Sequence, residues 1–221
     1  MVMKPNFNEE KKLWKQGIEC VVGLDEAGRG PLAGPVVAGA VVVNSKFKNQ
    51  NAKLQFKIQN LKIDDSKKLT EKQREECYES LTNHKDITFG VGVVSEKVID
   101  KINILEATKL AMARALKNLS AASPIGLRPR DFLLLDGNFK VKSKIPQKSI
   151  IKGDAKVFSI AAASIIAKVT RDRLMQKMHT KYPHYGFNKH KGYGTALHIK
   201  NLEQFGACKI HRKTFRGTKQ N

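Results

Sequence analysis

A short apolar run, Cys20-Val-Val-Gly-Leu24, leads into two adjacent carboxylates, Asp25 and Glu26, and then an arginine bracketed by glycines, Gly28-Arg29-Gly30. Residues 18–24 read as a buried strand, because β-branched and apolar side chains dominate a run bounded by turn residues. An unpaired carboxylate in a dry site costs several kcal/mol, so a buried strand that ends in two of them calls for positive charge there. Such hard oxygen donors suit Mg²⁺ or Mn²⁺. Arg29, with bare backbone on either side, suits a phosphate that must come close. The same Asp-Glu-Gly residues also suit a solvated turn, and the run alone does not separate the two. Gly23 to Arg29 mimics the spacing of a Walker phosphate loop but lacks its Lys-Ser/Thr, and Pro31 and Pro35 argue against a long helix directly after it.

A second apolar run, Phe132-Leu-Leu-Leu135, closes on Asp136. Catalytic groups in open α/β sheets collect at strand ends, where the sheet fixes them and loops leave access. Two strand-end acids on neighbouring strands can meet around one ion, although Asp136-Gly137 also fits a turn. Asp154 stands where a helix N-cap is expected, and capping and metal binding are compatible because a carboxylate has two oxygens. Adjacent strand residues point to opposite faces, so Asp25 and Glu26 share a site only if the strand ends or bends there, as the following glycines permit. Together the four acids suit a two-metal hydrolase acting on phosphate. The local sequence suggests neither a Ser-His-Asp arrangement nor a catalytic cysteine.

The other elements follow the same logic. Val36–Val43, residues 87–94 and a short segment near 149–151 read as further strands. Thr70 and Gln73 have the spacing of a capping box, opening a helix to about Asn83. Asn103 suits the cap of a helix whose apolar positions run from Ile104 to Leu119, before the breaks at Pro124 and Pro129. A long helix is expected from about Lys156 to Thr180, with small residues at Ala161-Ala-Ala-Ser164 that allow close packing on a sheet. A final helix spans Thr195 to about Gln204 and stops at Gly206. Strands first, then alternating helix and strand, give one α/β domain with a mixed sheet.

Lys and Arg number 41 against 20 Asp and Glu, a formal charge of +21 that favours polyanions, though a general lysine bias would inflate it. The lysine-rich stretch 44–61 reads as an exposed, partly mobile connection. Three scattered cysteines without a Cys-x-x-Cys pair fit reduced thiols in the cytoplasm, and Cys208-x-x-His211 reads as an incidental half-site. Residues 1–17 show no secretory signal, and Pro31–Val43 is too short and too rich in Pro and Gly to span a bilayer.

Gly23-Leu-Asp-Glu-Ala-Gly-Arg-Gly-Pro-Leu-Ala-Gly-Pro-Val-Val37 closely resembles the signature of type 2 ribonuclease H, the ribonuclease HII family. Asp65-Ser-Lys-Lys-Leu69, Leu135-Asp-Gly137, Lys152-Gly-Asp154, Ser159–Lys168, Arg171-Asp172, His190-Lys-Gly-Tyr-Gly-Thr195, His211-Arg212 and Phe215 continue the match in family order. The resemblance implies a ribonuclease H-like mixed five-stranded sheet flanked by helices, with a core at about 18–181 and a C-terminal helical extension at about 182–216, all in one catalytic domain. It implies an endonuclease that cuts the RNA strand of RNA–DNA hybrids and incises 5′ to single ribonucleotides in duplex DNA, leaving 3′-hydroxyl and 5′-phosphate ends. Asp25, Glu26, Asp136 and Asp154 would bind two Mg²⁺ or Mn²⁺ ions. Gly28, Arg29 and Gly30 would contact the 2′-hydroxyl and backbone at the RNA–DNA junction, and Tyr193 would stack on the next deoxynucleotide sugar. Lys67 and Lys68 would touch phosphates. A cytoplasmic monomer, free of membrane and acting in ribonucleotide removal, completes the expectation. Arg29 separates the chain from type 3 enzymes, which usually carry threonine there.

Overall fold

The computed structural model describes residues 4–43, 69–123 and 126–218; the lysine-rich stretch 44–61, Lys67, Lys68 and Pro124 lie outside them. Strands β1 (Val21–Ala27), β2 (Val36–Val43), β3 (Ile87–Val94), β4 (Phe132–Asp136) and β5 (Gln147–Ile150) form one sheet in the order β3-β2-β1-β4-β5. β1, β2 and β3 pair antiparallel, while β4 joins β1 and β5 joins β4 in parallel. The α-helices among the described residues are α1 (Asn8–Lys15), α2 (Glu71–Thr82), α3 (Glu96–Ala122), α4 (Phe158–Lys181), α5 (Phe187–His190) and α6 (Ala196–Phe205). The mixed five-stranded sheet with flanking helices is the expected architecture.

The apolar runs are nearly continuous because both sheet faces are covered. Val21, Val41, Val43 and Leu134 pack with α1, α2 and α4 in one core, whereas Val22, Leu24, Val42, Leu133 and Leu135 pack with α3 in the other. Alternate residues of one strand therefore serve opposite cores. The α4 layer lies against the sheet through small residues on both sides. Ala161, Ala162 and Ala163 are fully buried, and a Cβ on Gly23 would overlap the Ser159 backbone, as one on Gly39 would overlap the Ala163 carbonyl.

Helix starts follow local chemistry. The Thr70 hydroxyl accepts the Gln73 N–H at 3.2 Å, and the Gln73 side chain accepts the Thr70 N–H at 2.9 Å. Asn103 accepts the N–H groups of Leu105 and Glu106 at 2.9 and 3.1 Å, as a cap does. It stands inside a longer helix, α3, which begins at Glu96 and breaks at Asn103 with φ 65°. The charged N-terminal segment also holds an element that its composition conceals. In α1, Glu10 and Trp14 are buried, and Phe7, just before it, stacks on Phe158 at 4.3 Å. Glu10 accepts the Ser159 N–H at 2.9 Å and so caps α4 from outside it. Among the described residues, no helix is long and apolar enough to cross a membrane.

The close approach of α4 predicts that Gly39→Ala lowers the unfolding free energy by about 3 kcal/mol, because the helix must move or the sheet bend. Denaturant titration checks this, and an unchanged midpoint would rule out the packing argument.

Candidate active site

β1 and β4 run parallel, and Leu24 pairs with Leu135, so Asp25 and Asp136 follow side by side at the strand ends. Strand alternation points both toward the α4 side, with Val21, Gly23 and Leu134. Asp154 comes from a 3₁₀ turn, Gly153–Ala155, just before α4, entered through Lys152 in the left-handed region at φ 56°. The Gly153 N–H donates to Asp136 at 2.6 Å, which ties this turn to the end of β4. One oxygen from each of Asp25, Asp136 and Asp154 lies within 4.8 Å of the other two, the only such group of acids, histidines or cysteines among the described residues.

Asp25 is 4 % exposed. Burial, then the negative charges of Glu26 and Asp136 and the more weakly acting Asp154, hold its carboxyl well above the usual range, against the Glu26 N–H that donates to it at 2.7 Å. The charged form is disfavoured unless a cation arrives, and three carboxylate donors at this spacing fit a hard divalent ion.

Glu26 is placed differently from its neighbour. β1 does not stop at Leu24 but runs on to Ala27, pairing Glu26 with Ala38 and Ala27 with Val37. Pairing thus continues past Asp25, and Glu26 does not join the close group of oxygens. Its carboxylate accepts from Arg29 at 3.3 Å, while it still lines the cleft beside the other acids. That open cleft, about 210 Å³, is lined by Asp25, Glu26, Ala27, Gly28, Arg29, Gly30, Asp136, Ser164, Lys168 and Tyr193. The acids and the Gly-Arg-Gly segment thus share one space with Tyr193, whereas Lys67 and Lys68 lie outside the described residues.

Two buried guanidinium groups hold the segment 28–35 in shape. Arg212 donates to the carbonyls of Gly28 at 2.6 Å, Arg29 at 2.9 Å, Gly34 at 3.0 Å and Pro35 at 3.3 Å. Arg171 of α4 donates to Pro35 at 3.0 Å, Lys191 at 3.0 Å and Ala33 at 3.2 Å. Both side chains are fully buried. Burial, then the neighbouring Arg171 charge, pushes Arg212 down to about 9. Gly28 has φ +97°, and a Cβ there would run into the Arg171 side chain, so this loop admits only glycine at its first position. Tyr193 is 42 % exposed, with Lys168 and Arg171 at 5.9 and 5.8 Å from its ring. A Cβ on Gly30 would lie 3.9 Å from that ring, so the loop and the tyrosine face each other across the cleft.

Sequence reasoning gave Ser164 only a packing role and assigned none to Lys168, Arg171 or Arg212. Ser164 and Lys168 carry a local signal, polar residues four apart in an apolar helix segment, which puts both on one face. Lys168 pairs with Asp172 at 2.8 Å and lines the cleft. Arg171 and Arg212 carry no such signal, since their partners are carbonyls more than a hundred residues away in most cases.

A mixed sheet whose neighbouring parallel strands end in acids, beside a basic glycine loop, defines a hydrolase of the ribonuclease H type. The family model for Ribonuclease HII matches residues 22–218. A Ribonuclease HII of Chlamydia trachomatis serovar A is 52 % identical, covering 96 % of this chain and 92 % of the relative. Among solved structures, the ribonuclease H2 of Pyrococcus horikoshii OT3 superposes with a TM-score of 0.66 at 29 % identity over 90 % of this chain and 95 % of that one. A Bst-RNase HIII structure in complex with Mn²⁺ has a TM-score of 0.69 at 19 % identity, over 94 % and 70 % of the two chains, and shares the fold. The chain belongs to the ribonuclease HII family, a divalent-metal-dependent family, and is a ribonuclease H endonuclease.

Two outcomes follow from this geometry. Arg212→Lys leaves several buried carbonyls without their donors and lowers the unfolding free energy by about 3 kcal/mol, read by denaturant titration. In EDTA, Asp25→Asn removes a buried charge and stabilises the protein. The raised carboxyl of the wild type contributes stability below its unfolded value of 3.8, and that contribution is lost as pH rises through the folded value. The advantage of Asp25→Asn in melting temperature therefore grows with pH above 3.8, and a gap that shrinks would contradict the assignment.

Proposed function

We propose that the chain cuts the RNA strand of RNA–DNA hybrids and incises on the 5′ side of single ribonucleotides embedded in duplex DNA, leaving 3′-hydroxyl and 5′-phosphate ends. Ribonucleotide removal from DNA is the corresponding task. The observation that carries this reading is the carboxylate group of Asp25, Asp136 and Asp154, oxygens within 4.8 Å, in a cleft shared with Gly28-Arg29-Gly30 and Tyr193. A phosphate cannot approach three carboxylates without a cation, so the acids and the basic loop make sense together only around a metal-bound phosphodiester.

In this reading Asp25, Glu26, Asp136 and Asp154 hold two divalent ions, Mg²⁺ or Mn²⁺. The chemistry such ions supply is a more acidic water and stabilisation of the charge on phosphate and leaving oxygen. The remaining parts act as binding and orientation. Arg29 and the bare backbone of Gly28 and Gly30 meet the 2′-hydroxyl and phosphate at the junction, and the 2′-hydroxyl is the group that separates RNA from DNA. The exposed Tyr193 ring stacks on the following deoxynucleotide sugar. Lys67 and Lys68 contact phosphate, and residues 182–216 close over the duplex as part of a single catalytic domain. The enzyme works as a cytoplasmic monomer; its cysteines, Cys20, Cys77 and Cys208, are free, as suits a reducing compartment.

A labelled DNA duplex with one ribonucleotide, an all-DNA duplex and an RNA–DNA hybrid, each in Mg²⁺, Mn²⁺ and EDTA, test the proposal. The expected result is one metal-dependent cut 5′ to the ribonucleotide, cleavage of the hybrid's RNA strand, and no cleavage of all-DNA. Asp136→Asn should abolish cleavage and leave binding intact. Equal cutting of the all-DNA duplex points to a general nuclease, and binding without cleavage in every condition points to a hybrid-binding module.

A further inference from the structure

Three histidines, His190, His198 and His211, are buried together next to the loop that carries Tyr193. His190 and His198 stack at 4.4 Å and 16°, His211 lies 5.3 Å from His198, and Phe187 meets His190 and His198 edge-on. The catalytic reading above uses none of them. Their contacts fix where each proton sits.

The backbone N–H of Cys208 donates to His211 Nδ1 at 2.9 Å. An amide N–H can only donate, so Nδ1 offers its lone pair and the neutral ring carries its proton on Nε2. That Nε2 faces His198 Nε2 at 3.1 Å. Only one of two facing nitrogens can hold a proton, so His198 carries its own on Nδ1, which stands 2.9 Å from the Tyr193 carbonyl. The opposite assignment would use the Cys208 carbonyl, 3.3 Å from His211 Nδ1. It would also set a lone pair of His198 against the Tyr193 oxygen, and it would leave the Cys208 N–H unmatched. Only the first assignment satisfies all three contacts. His190 serves the same loop from the other side. Its Nδ1 accepts the Gly192 N–H at 3.2 Å, its Nε2 lies 2.7 Å from the Tyr185 carbonyl, and its own carbonyl accepts the Tyr193 N–H at 2.9 Å.

We propose that His198 and His211 are positioning residues for Tyr193: a directed chain, Cys208 N–H to His211 to His198 to the Tyr193 carbonyl, sets where the tyrosine ring meets the substrate. The chain needs neutral rings, since a second proton on either one would bring N–H against N–H. Burial lowers the basicity of all three, and His211 falls to about 4. The charges acting on the rings are those of His179, Lys191 and the rings themselves, which also oppose protonation. The loop so fixed is joined to the substrate loop, because the Gly192 carbonyl accepts the Leu32 N–H at 2.8 Å and Ala33 bridges to His211. Selectivity for the RNA–DNA junction thereby depends on imidazoles that never touch the nucleic acid. The inference rests on the reading of Tyr193 as a substrate contact.

The first test needs no variant. In the full-length wild type labelled with ¹⁵N at histidine, two-bond proton–nitrogen spectra near neutral pH should give His190 and His211 as Nε2–H and His198 as Nδ1–H. His198 found as Nε2–H or as imidazolium overturns the chain. The second test compares KM and kcat on the duplex with one ribonucleotide and on the hybrid. His198→Ala should raise KM on the embedded ribonucleotide roughly tenfold, the worth of one hydrogen bond, with kcat little changed and preference over the hybrid reduced. His198→Asn keeps an N–H near the Nδ1 place and should recover most of the loss. An equal fall in kcat on both substrates, or an Asn variant as poor as Ala, overturns the positioning role. Tyr193→Ala separates the two readings. Unchanged preference in Tyr193→Ala defeats the stacking role itself, whereas preference lost there but kept in His198→Ala defeats only the histidine chain.

Discussion

Carboxylates that share a site repel one another, and the protein holds them together by fixing the backbone that carries them. Asp25 and Asp136 are fixed by the parallel pairing of β1 and β4, and Asp154 by the turn whose Gly153 N–H bonds Asp136. Arg29 pairs with Glu26 at 3.3 Å. Arg171 and Arg212 spend their donors on backbone carbonyls, and Lys168 pairs with Asp172. The raised carboxyl of Asp25 is the cost of bringing the acids together.

The same constraint explains why the loop 28–35 is held by guanidinium groups. A segment rich in Gly and Pro exposes carbonyls that no helix or sheet ladder satisfies, and a buried carbonyl without a donor is unfavourable. A guanidinium offers five N–H donors in a fixed fork, so one side chain can serve several carbonyls at once. Arg212 bonds four, on both sides of the turn, and Arg171 shares that of Pro35 and adds those of Ala33 and Lys191. An ammonium could not span that set. The loop that faces the cleft is therefore rigid although it has no regular secondary structure.

What was legible in the sequence is what local chemistry determines. Asp25 and Asp136 stand out because each ends an apolar run, and the caps at Thr70 and Asn103 because their partners lie within three residues. Asp154 was ambiguous between helix cap and ligand, and the structure puts it in a separate 3₁₀ turn close to the other acids. Glu26 lies on a strand that continues past Asp25, and it lines the cleft without joining the closest group of oxygens. The elements that were missed depend on distant partners. In α1 the buried positions include a glutamate whose partner is Ser159, so the segment looks merely charged until that contact is known. Cys208 and His211 looked incidental because metal spacing was the only question asked of them, whereas their contact is an amide donating to a ring.

Charge acts on this molecule at two ranges. The formal charge of +21 attracts a polyanion over distances set by screening, about 10 Å in ordinary salt. Within the cleft the sign reverses, since Asp25, Asp136 and Asp154 repel any phosphate that approaches without a cation. Attraction of nucleic acid and its approach to the acids therefore depend on different groups. In the proposed function, lysines and the arginine-bearing loop serve the first, and the acid cluster serves the second. In that reading the acids weaken capture, and their contribution is to collect the ions that the proposed reaction needs.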